Sequence, residues 1–297
     1  GAEPTARDKH GSSPLHIATQ NGNVDLALLP LLVEHGADVT TQDDNGSTPL
    51  HFATWVGRVD LAHFLVERGA DVTAHDKKGS TPLHWAVQKG KVDLICFLVE
   101  HGADITAQDN NGSTPLHSAA RKGSVDLARF LVEHGADATA RDKDGSTPLH
   151  VVSCPRGVDL ARLLVEHGAG VTAQDNNGST PLHRAVRWGR VDLIRFLLEN
   201  GADTTARDKD GSTPLHVVSC PWAVDLAGLL VEHGADVTAQ DNNGSTPLHW
   251  AVQSERVELI RFLLEYGADK TARDKDGSTP LGWAVHERRE YIASLFV

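Results

Sequence analysis

An all-α solenoid of stacked helix-turn-helix repeats is the fold that three features of the sequence predict. The hexapeptide Gly112-Ser113-Thr114-Pro115-Leu116-His117 returns almost unchanged along the chain. Pro49, Pro82, Pro115, Pro148, Pro181, Pro214, Pro247 and Pro280 stand 33 residues apart, and Pro14 precedes Pro49 by 35. Every interval carries turn and helix signals in the same order. A fixed period of this size marks supersecondary modules that share one apolar interior with their neighbours, not a single closed globule.

The repeat 109–141 shows why each element should form. Asp109-Asn110-Asn111-Gly112 is a tight-turn sequence, because Asn and Gly accept positive φ at low cost. Thr114 stands where a helix needs an N-cap, and Pro115 where the first helical residue needs no N–H. A short helix then runs through His117, Ala119 and Ala120 to Gly123, a left-handed terminator. A second helix is expected from about Val125 to Glu133, with Val125, Ala128, Leu131 and Val132 on its apolar face. Gly135 closes it, and Ala136-Asp137 leads to the next turn.

These residues carry a resemblance. A 33-residue period built on Gly-Ser-Thr-Pro-Leu-His-x-Ala, a glycine, and Leu-Val-Glu-His-Gly-Ala-Asp is similar to the ankyrin repeat. The resemblance spans almost the whole chain and implies a β-turn or hairpin loop plus two antiparallel helices per repeat. On this reading residues 1–297 form one ankyrin-repeat domain. Its repeats are 8–42, 43–75, 76–108, 109–141, 142–174, 175–207, 208–240, 241–273 and the truncated 274–297.

Taken in order, the repeats differ in informative ways. Gly1-Ala2 fits no repeat and, in a chain without methionine, reads as a scar of tag removal on a piece of a longer array. The first repeat holds two extra residues around Pro30, which should kink or restart its second helix. Phe52 and Trp85 fill the slot after the motif histidine where Ser118 stands later. The segments 142–174 and 208–240 share Ser-Cys-Pro, with Val152 and Val218 replacing the small alanine. Pro155 and Pro221 remove a donor near the end of the first helix, and the terminating glycine becomes Arg156 and Trp222. The first helix should therefore end early in both repeats, and the second of them should be the less regular. The last repeat has Gly282 in place of the motif histidine and stops part-way along its second helix.

Composition bounds the function. The chain has 297 residues and a formal net charge of −12, which argues against a nucleic-acid partner and mildly favours a basic one. No apolar run is long enough to span a membrane. Cys96, Cys154 and Cys220 form an odd set, and Cys154 and Cys220 lie two repeats apart, too far for a disulfide. Free thiols fit a reducing, intracellular compartment, cytoplasmic with the nucleus compatible. A redox-sensing thiol in the Cys154/Cys220 slot is the less economical reading.

Seventeen histidines invite a metal or catalytic reading. His16, His51, His84, His117, His150, His183, His216 and His249 are the motif histidines. The resemblance implies that they bond the turn backbone between neighbours. His35, His101, His134, His167 and His233 precede the glycine that ends the second helix, where a polar or cationic side chain suits the helix C-terminus. Equivalent residues one repeat apart lie about 10 Å from each other, too far to share a zinc ion. No nucleophile-base constellation, phosphate loop or metal spacing stands out. The reading is a non-enzyme without cofactor or metal.

Variation among the repeats gathers after the motif histidine and at the end of the first helix. In ankyrin proteins the turn tips and first-helix face line the binding groove. By that resemblance Trp55, Lys89, Arg121, Lys122, Arg187 and Trp188 are the candidate partner-binding residues, Trp and Arg being common interface hot spots. Trp85 and Trp250 read first as packing between repeats. The expected function is a monomeric protein-interaction scaffold that binds a protein or peptide. Two alternatives stand beside it: the ligand-sensing repeats of a larger signalling or nucleotide-switch protein, and an engineered, consensus-like array without natural ligand.

Overall fold

The computed structural model describes residues 3–21, 28–154, 157–218 and 223–296. Gly1, Ala2, Pro155, Arg156, Cys220, Pro221 and Trp222 lie outside them, as do the expectations placed on those residues. Contacts divide the chain into two compact units, Gly1–Lys143 and Asp144–Val297.

The N-terminal unit holds four helix pairs: α1 (Pro14–Gln20) with α2 (Leu28–Glu34), α3 (Pro49–Val56) with α4 (Val59–Glu67), α5 (Pro82–Lys89) with α6 (Val92–Glu100), and α7 (Pro115–Lys122) with α8 (Val125–Glu133). Pro30 falls in the first turn of α2, where its missing N–H costs no intrahelical bond. Each first helix starts at a capping residue in extended conformation followed by proline; for α7 Thr114 has φ −89° and ψ 167°. Helices α3, α5 and α7 end on Gly57, Gly90 and Gly123 at φ 83°, 72° and 73°. Left-handed backbone of this kind is nearly free for glycine alone.

The first helices α1, α3, α5 and α7 pack on one another in sequence to make one layer, and α4 and α6 pack in the second. Leu50, Leu83 and Leu116, the leucines of the repeated motif, are fully buried between the layers. Each contributes about 1.5–3 kcal/mol by leaving water. Ala53, Ala86 and Ala119 are also sealed from solvent, because a larger side chain would push the helices apart. In α8 the buried face is Leu127, Ala128, Leu131 and Val132. Val125, expected on that face, is half-buried, and Leu127 takes its place, at i and i+4 with Leu131.

Turns join the repeats, and among the described residues there is no β-strand. Successive turn tips share a backbone hydrogen bond: the Lys77 N–H donates to the Asn45 carbonyl at 2.7 Å and the Asn110 N–H to Lys78 at 2.8 Å. The tips approach so closely that a Cβ on Gly46 would lie 2.8 Å from the Lys77 nitrogen.

The C-terminal unit repeats the plan with two departures. Its helices are α9 (Gly157–Glu166), α10 (Pro181–Arg187), α11 (Val191–Glu199), α12 (Ala223–Glu232), α13 (Pro247–Gln253), α14 (Val257–Glu265), α15 (Pro280–His286) and α16 (Glu290–Ala293), with a last 3-10 turn at Ser294–Phe296. In the first Ser-Cys-Pro repeat the first helix shrinks to a 3-10 turn, Pro148–Val151, and Val152 leaves helical backbone at ψ 99°. In the second, residues 214–217 form a turn and no helix. Both shortenings follow the expectation, and the second repeat is the less regular. Gly157, one place after the terminator slot, opens α9 and is buried there. Ala223 does the same for α12, so both second helices have ten residues against nine in α11 and α14.

Candidate functional site

The motif histidines are built into the caps. The His117 ring Nδ1 accepts the Thr114 N–H at 3.2 Å and lies 2.9 Å from the Thr114 hydroxyl. In the same register His84 Nδ1 accepts from Thr81 while its Nε2 meets the Ser113 carbonyl at 3.1 Å. A carbonyl accepts only, so the proton stands on Nε2 and the ring is neutral. His16, His51, His150, His183, His216 and His249 make the equivalent bond to a serine carbonyl of the next repeat. Burial pushes the pKa of His16, His51, His84, His183, His216 and His249 down, against the backbone bond.

The second histidine set turns its Nδ1 to the carbonyl four residues earlier, as His101 does to Phe97 at 2.8 Å and His134 to Phe130 at 2.8 Å. Among the described residues no group of three or more His, Cys, Asp or Glu side chains is placed to hold a metal ion. Cys96 and Cys154 are unpaired and half-buried. Burial, with Glu100 and Asp93 nearby, pushes the Cys96 thiol up, away from thiolate reactivity.

Turn aspartates position the residue that follows each motif histidine. Asp76 Oδ1 accepts the N–H groups of Lys78 and Ser80, both at 2.8 Å, and Oδ2 accepts Trp85 Nε1–H at 3.2 Å. The same nine-residue bond joins Trp250 to Asp241 at 2.9 Å, Trp283 to Asp274 at 2.8 Å and Arg184 to Asp175 at 2.7 Å. Burial pushes the Asp175 carboxyl up, but the Arg184 guanidinium and the N–H groups of Asn177 and Ser179 outweigh it and hold it low. Trp85 and Trp250 are half-buried and tied to the turn, consistent with packing. The spacing was present in the sequence; its meaning as a hydrogen bond was not read from it.

In the N-terminal unit this bond begins a run of contacts across the first-helix layer. Trp85 meets Trp55 edge-on at 5.5 Å between ring centroids and Phe52 at 5.9 Å. Trp55 is 44% exposed, and the Lys89 ammonium sits 3.1 Å from its ring centroid, a cation–π contact. Lys122 Nζ donates to the Gln88 carbonyl at 2.7 Å, which places a positive charge at the C-terminus of α5. Arg121 is exposed in the last turn of α7. Of the candidates here, Trp55 and Lys89 touch, and Lys122 reaches the residue beside Lys89.

In the C-terminal unit Arg187 is exposed in the last turn of α10. Trp188 caps that helix, half-buried, its N–H bonded to the Arg184 carbonyl at 3.1 Å. Phe52 and Trp85, which complete the aromatic run around Trp55, were outside the predicted set; their spacing of one repeat from each other was the available signal.

Comparison with known proteins agrees with this architecture. A search of the curated proteins finds no match to the chain. The family model described as ankyrin repeats (3 copies) matches residues 1–76, 69–142, 137–208, 204–274 and 224–297. Since those matches together cover residues 1–297, the chain belongs to the ankyrin-repeat family.

Proposed function

We propose that the chain is a non-catalytic interaction module that binds a protein or peptide across its first-helix face. Ankyrin repeats are generally protein–protein interaction modules and typically non-catalytic, which supplies the class. No described helix is long and apolar enough to cross a membrane. The observation that carries the finer reading is Trp55, a large aromatic left 44% exposed among rings and beside a cation. The half-buried Trp85 ring and the Lys89 side chain pack against it, so it offers area with little entropy to lose on binding. Arg187 and Trp188 give the C-terminal unit a second candidate of the same composition.

The test is selection from a random-peptide library against the full chain. Trp55→Ala is run in parallel, with Arg129→Ala on the exposed side of α8 as control. Peptides enriched by the parent and the control but lost with Trp55→Ala are the expected result. Equal enrichment by all three proteins would remove Trp55 and its face from the function.

A further inference from the structure

The net charge of −12 is not shared evenly between the two helix layers. The second helices α4, α6 and α8 each carry an aspartate in the first turn and close on a glutamate, from Asp60 and Glu67 to Asp126 and Glu133, against Arg129 of α8 as the lysine or arginine within them. The first helices α3, α5 and α7 contain no acidic residue and carry Lys89, Arg121 and Lys122. The turn before α5 adds Lys77 and Lys78, both exposed. Carboxylates occur at these turn tips as well: Asp44, before α3, is exposed, whereas Asp43, Asp76 and Asp109 are engaged internally, Asp43 by the N–H groups of Asn45 and Ser47. Asp76 accepts from Lys78, Ser80 and Trp85, and Asp109 from Asn111 and Ser113. An acidic protein therefore presents one locally basic face, lined with exposed aromatic surface, and the local field governs what docks there.

Resting on the interaction reading above, we infer that the first-helix face of Gly1–Lys143 takes an acidic segment of a partner protein. An apolar or aromatic side chain of that segment lies on Trp55, and its carboxylates face Lys89, Arg121 and Lys122. The Lys89 ammonium stays over the Trp55 ring while its free N–H groups meet a carboxylate, so the cation–π contact is not given up. A nucleic acid is disfavoured, because its evenly spaced charges would meet the acidic remainder of the chain as well as this face. The basic partner suggested by net charge alone fails for the opposite reason: it would meet like charge at the point of contact.

The test uses the full chain and three labelled peptides of one length, each with a central tryptophan in a Gly/Ser frame. The flanking residues are all Glu, all Gln or all Lys, and a labelled oligothymidylate is the fourth probe. Fluorescence anisotropy should show the Glu peptide binding at least about tenfold more tightly than the Gln peptide, with an affinity that falls as salt rises. Arg121→Glu and Lys89→Gln should each weaken it, and Arg129→Glu on α8 should not. The salt dependence of the parent chain decides the matter even if a variant folds poorly. Equal binding of the Glu and Gln peptides, tighter binding of the Lys peptide, or tighter binding of the oligonucleotide would overturn the assignment. Trp55-dependent library peptides that are neutral or basic would also overturn it while leaving the interaction reading in place. Absence of any Trp55-dependent peptide would remove both.

Discussion

Left-handed backbone at a residue with a Cβ costs about 1–2 kcal/mol, and two residues of the C-terminal unit bear that cost. Glu255 and Arg288 have φ 56° and 57°, each just after the capping residue of a first helix. Gly57, Gly90 and Gly189 hold the same place in other repeats. The two residues differ in what their side chains return. Glu255 pairs with Arg289 at 3.3 Å, and Arg289 also donates to the carbonyls of Val252 and Gln253 at 2.7 Å. The Arg288 side chain is exposed. Arg288→Gly should therefore stabilise the full chain by about 1 kcal/mol, and Glu255→Gly by less. Urea unfolding of both variants against the parent measures the order, and a loss of stability with Arg288→Gly would contradict the account. The departures were visible in the sequence as Glu and Arg at a glycine slot. What they do to the backbone was not, because the same substitution at 156 and 222 accompanies a lost helix.

That contrast belongs to whole elements. In the repeat 109–141, Ala119 sits in the first helix and Ser124 precedes the second; one repeat later Val152 and Gly157 hold those places. The first helix has contracted to Pro148–Val151, and α9 begins early at Gly157. A Cβ on Gly157 would stand 2.6 Å from Val152 Cγ1. The valine and the glycine are thus one steric solution: the branched side chain, buried at 0% exposure, occupies the space that a side chain at 157 would need. Gly157→Ser alone should cost about 1–3 kcal/mol by overpacking. Val152→Ala alone leaves a void and should destabilise as well. The double variant restores the pair found one repeat earlier, so the two costs should be less than additive by about 0.5 kcal/mol or more. A double-mutant cycle from urea melts supplies the coupling. Additive losses would mean that the two side chains do not compete.

Across the whole molecule, legibility followed repetition. Caps, terminators and the buried leucines were readable because the same residues solve the same problem every 33 positions, as Thr114, Pro115, Leu116 and Gly123 show. The contact of Lys89 with Trp55 was not readable, since it depends on two rotamers meeting across neighbouring repeats. Nor was the segregation of charge visible until the structure assigned each helix to a layer. The histidines carry the last consequence, because six buried motif rings act together along the chain. Burial lowers the folded pKa of His16, His51, His84, His183, His216 and His249 below the ordinary value of about 6.5. Between the folded value and about 6.5 the unfolded chain binds more protons, so stability rises with pH in that window. It is fully present above about 6.5 and is lost as pH falls toward the folded values, by up to about 1.4 kcal/mol per pH unit for each ring. Carboxylates held low, such as Asp38 and Asp175, act only in a more acidic window, below about 4. Urea melts of the full chain at pH 7.5, 6.5 and 5.5 should therefore show a steep loss below pH 6.5, well before the carboxylates titrate. His84→Gln keeps an acceptor toward Thr81 and a donor toward Ser113 but cannot take a proton. It should lower stability at pH 7.5 and flatten the slope below 6.5. An unchanged slope would mean that the ring already titrates freely in the folded chain, contrary to the neutral, doubly bonded imidazole that the cap requires.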